Sequence, residues 1–560
     1  MNAASHAHPK PFRAWIAGGA PWIWLQAGAV SLGVLLVAGL LLLIAWRGLG
    51  YFWPADIHEW VLAKEGGGVR VVAGQLRRAE SVPAQRLREA GHAVPGDATE
   101  VTRFLLRVGN RDLQSQDFLW ILEPEILQRS RPQSLAVFER ADWGAFIGRL
   151  VGLREDGRLL RVADPWDELQ LRLERARELQ AEADALDRKR IGRINQRLER
   201  LRLRERALDR AGREAPGKRA EIERERAALE TDFQHAVEEL ETVYDELARD
   251  TVRVATAEGT EHEFPLSSVV SAYRPNAMGV GEKLERYRER LWAFLSESPR
   301  AGNTEGGIFP AIFGTVLMVL LMTVFVTPLG ILAAVYLHEY ARQGTLTRLV
   351  RIAVNNLAGV PSIVYGVFGL GFFIYFVGGG IDRFLFSDRL PQPTFGTGGL
   401  FWASLTLALL TLPVVIVSTE EGLARVPRAL REGSLALGAT RWETLWRTVL
   451  PMASPGIMTG VILAVARAAG EVAPLMLVGV VKLAPTLPID GQFPFLHLER
   501  KFMHLGFHIY DLGFQSPNVE ATRPLVYATA LLLVLITVLL NFVAIMVRNR
   551  LSERYRSPEA

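Results

Sequence analysis

The chain contains no cysteine. Disulfides and thiolate metal sites are therefore excluded, and the absence is compatible with either side of a membrane. Lysine is nearly as scarce: seven of the 64 basic residues are lysine and the rest arginine, which we read as genome bias rather than chemistry. The net charge of +4 leaves no strongly basic footprint for nucleic acid. No G-x4-GK[ST] run occurs, so nucleotide chemistry would have to come from another chain. "HEYAR" (338–342) begins like a zinc-protease motif, but Arg342 stands where the second histidine is required.

What the chain has in quantity is apolar length. A hydrocarbon core of about 30 Å needs about 20 apolar helical residues. Six segments qualify, at 22–46, 309–337, 353–378, 400–418, 455–479 and 524–547. The first is too long for a signal-peptide core and lacks a small-residue cleavage pattern, so it is expected to remain as an anchor. Flanking basic residues set the orientation. With the N-terminus inside, Lys10, Arg13, Arg342, Arg348 and Arg351 are cytoplasmic. So are Arg425, Arg428, Arg431, Arg441 and Arg447 after the fourth span, and Arg548, Arg550, Arg554 and Arg556 in the tail. The outer loops carry fewer: Arg383 and Arg389 in one, Lys482, Arg500, Lys501 and Arg523 in the other.

The expected architecture is an all-α polytopic membrane protein with an inserted α+β domain. Residues 1–50 form a cytoplasmic start and anchor, 51–307 lie outside, 308–550 form the membrane domain, and 551–560 are a cytoplasmic tail. In the external region, "VRVVA" (69–73), "RFLLRV" (103–108), "FLWIL" (118–122) and "VRVAT" (252–256) read as strands. Over about 166–250, Ile191, Ile194, Leu198, Leu201 and Leu208 recur at heptad core spacing, interrupted by Glu205. Ile222, Leu229, Phe233, Ala236, Leu240, Val243 and Leu247 repeat the pattern after "AGREAPG" (211–217). That break predicts an antiparallel coiled-coil hairpin. Its first arm, about 45 residues, would reach roughly 65–70 Å, as a structural spacer or as a docking arm for a partner.

Between the fourth and fifth spans lies "EGSLALGATRWETLWRTVLP" (432–451). Pro427 suits the first turn of a helix, and Gly438 can take positive φ and end it. Thr440 and Glu443 have capping-box spacing for a second helix. Trp442, Leu445, Trp446 and Val449 line one face of that helix, and Pro451 is expected to end it. The small residues Gly438 and Ala439 at the corner could enter a partner's groove.

Only two charges fall inside the six segments, Arg467 and Glu471, both in "AVARAAGEVAPLM" (464–476). An arginine near mid-span costs about 2.5–3.5 kcal/mol on insertion scales. The two are four residues apart and could pair. Gly470 and Pro474 weaken the helix beside them. Either they neutralise each other as structure or they line a translocation pathway, where a guanidinium fork suits oxyanions. Glu471 could hold Arg467, release it, or repel a dianion.

Residues 432–451 resemble the coupling loop of ABC importer permeases, EAA-x3-G-x9-I-x-L-P. Glu432, Gly433 and Ser434 stand at EAA, Gly438, Leu450 and Pro451 are in register, and Thr448 replaces the usual Ile. "NTEGGIFPAIFGTVLMVLLM" (303–322), "NLAGVPSIVYGVFGLGFF" (356–373) and "ARAAGEVAPLMLVG" (466–479) resemble the PstA-type permease of phosphate ABC importers. The "GE-x-APL" ending favours it over the sister PstC type. The resemblance covers about 300–480 well. It implies a type I (MetI-like) permease core in a bacterial inner membrane and a coupling loop over 419–451. It also implies a PstC-type permease beside this chain, a dimer of ATPase subunits carrying ATP and magnesium, and an external phosphate-binding protein. No cofactor and no enzyme activity are then expected on this chain. A permease for sulfate or molybdate, and a membrane-tethered coiled-coil scaffold, are the rival readings.

Weaker signals remain. His504 and His508 are four apart, with His497 nearby. Without a carboxylate or cysteine at convincing spacing they are expected to be ordinary surface or interfacial histidines. Asn355 and Asn356 are expected to hydrogen-bond between helices or to backbone. The run 493–510 is expected along the outer membrane surface, or as a landing site for a delivery protein.

Overall fold

The computed structural model describes residues 18–64, 68–91, 98–113, 116–210, 216–491, 493–516 and 519–554. Lys10, Arg13, Arg556 and most of the 211–217 break lie outside them.

Six helices among the described residues are long and apolar enough to cross a membrane: Pro21–Gly50, Phe309–Tyr340, Ser362–Leu385, Leu400–Ala424, Arg441–Gly470 and Thr522–Glu553. Two expected boundaries change. The segment 353–378 divides: α7 (Thr345–Leu357) is a separate amphipathic helix, and the span itself is α8 (Ser362–Phe368) continued to Leu385. The divider is Pro361, whose ring excludes helix from the residue before it. Asn355 and Asn356 consequently sit exposed on α7 rather than between helices. The fifth span is 441–470, not 455–479, for reasons given below.

The membrane helices are α1 (Ala20–Gly50), α6 (Phe309–Val335), α8, α9 (Leu400–Ala424), α12 (Leu450–Gly470) and α15 (Val519–Arg554). Their centre is α9, which packs between α6 and α12. Its buried face includes Trp402, Leu407, Leu410 and Val415. Small residues permit close approach, as is usual where lipid supplies no hydrophobic drive. A Cβ added to Gly456 would stand 2.7 Å from the Cα of Gly422, and one on Gly460 2.7 Å from the Ser418 Cβ.

Between α1 and α6 the described residues form thirteen strands. Two of them, Pro299–Arg300 and Glu305–Gly306, pair with each other, and the other eleven lie in two antiparallel sheets. One has the order β4-β3-β2-β1-β5, from β1 (Ile57–Lys64), β2 (Gly68–Pro83), β3 (Glu100–Arg107), β4 (Phe118–Leu122) and β5 (Ile126–Ser130). The other has the order β10-β9-β7-β6-β11, with β8 (Arg158–Leu159) on β7. Its members are β6 (Leu135–Arg140), β7 (Phe146–Glu155), β9 (Asp250–Ala255), β10 (Glu261–Pro265) and β11 (Val269–Tyr273). All four strand readings fall in strands. Ile57, Ala73, Val137, Ile147 and Tyr273 form a core shared by both sheets.

From this second sheet rises a helical hairpin of α2 (Pro165–Ala185), α3 (Gly192–Arg210) and α4 (Pro216–Ala248). Ile191, Ile194 and Leu201 are buried against Ile222, Leu229 and Ala236, as the heptad spacing requires. Glu205, the odd residue in that seam, is met by Arg226 across it at 2.5 Å. Near its tip the hairpin touches the membrane region: Arg206 donates to the Asp388 carbonyl at 3.3 Å.

The sheets stand on one end of the helix bundle. Phe52 and Phe294, the latter on α5 (Val280–Ser296), pack with Ile308, Ala311, Met503, Leu512 and Leu525. At the other end Val335, Leu423 and Val426 cover Leu445, Val449 and Ala453. The sheet-rich region and the 432–451 segment thus occupy opposite ends of the membrane helices.

Only the start of the run 493–510 lies at a surface, where Phe493 and Phe495 are exposed. Phe502, Met503 and Leu505 are fully buried among the helices. Thr315 on α6 accepts at 2.9 Å from the N–H of Leu505, which opens α14 (Leu505–Tyr510). A Cβ on Gly314 would fall 2.1 Å from the Met503 carbonyl, so the missing side chain makes the slot.

Candidate translocation site and coupling elbow

The elbow forms from local chemistry. Pro427 caps α10 (Arg428–Ala436) one residue before its first turn. Gly438 reverses the chain at φ +86°. Thr440 then caps α11 (Arg441–Thr444): its hydroxyl accepts from the Glu443 N–H at 3.2 Å, and Glu443 accepts from the Thr440 N–H at 2.9 Å. Ser434 and Thr444 tie the two short helices together at 2.9 Å.

Two ion pairs brace this end of the membrane helices, and one of them comes from the elbow. Arg431 meets Glu339 at 3.0 Å and donates to the Leu423 carbonyl. Arg351 on α7 meets Glu420 on α9 at 3.3 Å. Glu339 is the glutamate of "HEYAR", and it serves as a partner for arginine. Its signal in the sequence was only its place at the end of a span.

The expected apolar face of the second helix divides in two. Leu445 and Val449 are buried, whereas Trp442 and Trp446 stack on each other at 5.8 Å in the open. Leu437 at the corner is 91% exposed. Glu432, Gly433 and Gly438 are also exposed, and Ala439 is half-buried.

Pro451 does not end the helix. Residues Leu445–Val449 form a π-turn that runs directly into α12, with Leu450 and Pro451 in its first turn. A proline lacks the N–H and crowds the carbonyl four residues back. One wide turn before it absorbs that conflict.

At its far end α12 stops at Gly470, short of the bundle's end. The chain continues through Glu471–Ala473 to Pro474, which starts the one-turn α13 (Leu475–Val478). Pro474 packs on Gly366 of α8, and the Val478 carbonyl accepts from the Gly399 N–H at the head of α9.

Arg467 is thus in the last helical turn rather than mid-helix, yet its depth is central. Gly460 lies against Ser418, roughly 27 Å below the head of α9 at 1.5 Å per residue. Arg467, seven residues on, is about 10 Å higher, level with the middle of α9. Its Nε stands 3.5 Å from the Glu471 carboxylate. The α12 C-terminus adds partial negative charge beside it. The two side chains remain 35% and 21% exposed, so the pair is not sealed in a packing seam.

Extending the third span to Leu385 brings in another acid. Asp382 is buried and accepts from the Phe395 and Gly396 N–H groups at 2.9 and 2.7 Å. It pins the loop before α9. Ending that span at 378 hid it.

The three histidines are buried, not at the surface. His497 is held between Asp490 and Glu499 at 3.0 and 3.2 Å. His504 accepts from the Gly506 N–H at 3.1 Å as a helix cap. Burial depresses His504 to about 3 and His508 to about 4. Among the described residues no cluster of three metal-ligating side chains occurs.

Residues 326–557 match the family described as "Binding-protein-dependent transport system inner membrane component". The matched segment runs from within α6 to the end of α15 and includes the elbow. Within it, the chain is similar to phosphate permeases of the PstA type. It is 41% identical over 175 residues to "Phosphate transport system permease protein PstA 1" of Mycobacterium tuberculosis, covering 31% of this chain and 52% of that protein. It is 36% identical over 187 residues to the PstA protein of Pasteurella multocida, covering 33% and 60%. The chain spans about half the length of the first curated relatives it matches. Among solved structures, the inward-facing MetNI methionine ABC transporter aligns at 19% identity and TM-score 0.33, over 47% of this chain and 98% of that one.

Proposed function

We propose that this chain is a permease subunit of an ATP-driven phosphate importer in a bacterial inner membrane. It forms the translocation pathway with a second, PstC-type permease. An ATPase dimer, carrying ATP and magnesium, docks on the exposed elbow around Glu432–Ala439. A phosphate-binding protein delivers substrate at the opposite end. Both termini and the elbow face the cytoplasm, and residues 51–307 face outward, in keeping with the arginines that flank the spans.

Arg467 and Glu471 are assigned to the pathway. The observation that carries this is an open guanidinium at mid-depth, where a helix has been broken. A buried charge of this kind is expensive unless it has a use or a partner. Glu471 and the helix end satisfy it between substrates, and an oxyanion replaces them in passage.

The test is uptake in vesicles holding this chain, its sister permease and the ATPase. Arg467→Gln should abolish phosphate uptake while leaving ATPase assembly intact. Arg467→Lys should retain a fraction, because charge persists without the fork. Normal uptake by Arg467→Gln removes the pathway assignment. Competition by sulfate or molybdate equal to that by phosphate removes the substrate assignment.

A further inference from the structure

A second group of arginines lies far from Arg467, where the first and last membrane helices meet the sheets. A crevice of about 500 Å³ is bounded by Leu43, Trp46 and Arg47 of α1, Leu76, Arg77 and Arg78 of β2, and Arg523 and Tyr527 of α15. Four arginines line it against one glutamate, Glu520. That carboxylate is already shared, with Arg78 at 3.3 Å and Arg523 at 3.2 Å.

Arg77 has no carboxylate partner among the described residues. Its only hydrogen bond there is to the Gln75 side-chain oxygen, at 3.0 Å. Behind it a smaller cavity of about 90 Å³ holds Arg107 and Arg290, whose charges repel it. Those two have their own acids, Glu305 at 2.5 Å and Glu139 at 3.7 Å. Arg47 likewise has no acidic partner among the described residues.

The walls differ from those of a soluble anion site. Trp46 is 82% exposed, and Leu43 and Trp53 are also exposed. Tryptophan and tyrosine at the end of a span mark the headgroup level of a bilayer. Cationic pockets between membrane helices at that level suit lipid phosphates. A zwitterionic headgroup would bring a further cation into a site that already has too many.

We propose that this crevice binds the phosphate of an anionic phospholipid, with Arg77 as its main ligand, Arg47 and Arg523 flanking, and the acyl chains along Leu43 and Trp46. The site is independent of the transport reading. A guanidinium fork gives two parallel bonds to one phosphate, and Arg77 is free to make both.

The experiment is native mass spectrometry of the full chain released from micelles containing phosphatidylglycerol or phosphatidylcholine. Wild type should retain phosphatidylglycerol over phosphatidylcholine. Arg77→Gln should weaken that retention about tenfold, as for one lost charge-assisted hydrogen bond. Arg77→Lys should restore part of it. Equal retention of the two lipids by wild type overturns the proposal without depending on any variant. So does unchanged phosphatidylglycerol retention in Arg77→Gln. Thermal stabilisation by inorganic phosphate that Arg77→Gln abolishes, with no lipid retained, would assign the site to a soluble oxyanion and overturn the lipid.

Discussion

Gly438 allows backbone strain and partner contact to be separated at one position. Its φ of +86° lies in the left-handed region. An L-residue there costs about 1–2 kcal/mol, which is about a 5- to 30-fold loss in the population of the folded elbow. A Cβ at this position meets nothing within 4 Å in the chain itself. Gly438→Ala therefore carries the backbone cost alone, and Gly438→Asn a smaller one, since asparagine visits this region more readily. Gly438→Trp adds bulk that only a docked partner can feel. In the isolated chain, Gly438→Ala and Gly438→Trp should melt within a degree or two of each other. In the reconstituted complex, phosphate moved per ATP hydrolysed should fall several-fold for Gly438→Ala. For Gly438→Trp it should vanish, with loss of ATPase binding. If Gly438→Trp binds the ATPase and couples as well as Gly438→Ala, no close-packed groove receives this corner, and the docking reading fails.

Two further outcomes follow from the packing. His504 and His508 are held neutral, whereas an unfolded histidine takes a proton near 6.5. Stability is thus full above about pH 6.5 and declines as pH falls toward 4, by up to about 1.4 kcal/mol per unit for each. Among the described residues neither ring nitrogen of His508 has a hydrogen-bond partner, so His508→Leu should roughly halve the decline in detergent unfolding curves between pH 7 and 5; an unchanged slope refutes this. Gly456→Val would force α12 away from Gly422, at about 1–3 kcal/mol of strain. It should spare ATPase binding but stop uptake, and normal uptake would show that this contact is dispensable.

The elbow was legible because its signals are local. Gly438 and the Thr440–Glu443 pair each act within four residues and do in space what their spacing said, whereas Pro427 falls one residue before its helix and Pro451 lies inside the one it was expected to end. The heptad seam was legible for the same reason. The misjudged features depend on distant partners. Residues 493–510 look amphipathic, and only the slot at Gly314 on α6 shows that Phe502 and Met503 are swallowed. Trp442 and Leu445 look equivalent on one helix, but Leu423 and Val426 cover only the second. Hydropathy alone fused α7 with the third span, since Pro361 is a single residue in an apolar run. Only four of the thirteen strands among the described residues stood out. Of β2, the longest at sixteen residues, only 69–73 stood out, because the remainder, with exposed Arg77, shows no clean apolar alternation.

Arg441–Gly470 is one helical piece of thirty residues, about 45 Å long, with the exposed corner at Gly438 just before one end and Arg467 near the other. Gly456 sits midway and touches Gly422 almost backbone to backbone. A rod held closely at its middle turns more easily than it slides. A tilt imposed on the elbow would then carry Arg467 a comparable distance the opposite way. The π-turn before Pro451 matters here, because it keeps the piece continuous where a proline would otherwise have cut it into two loosely joined parts. The true break falls beyond Gly470, on the far side of the charged pair. Arg467 can therefore move with the elbow while α13 stays fixed against the head of α9. In the proposed transport cycle, that placement lets a displacement on one face of the membrane reposition a cation at its centre without dragging the outer loops along.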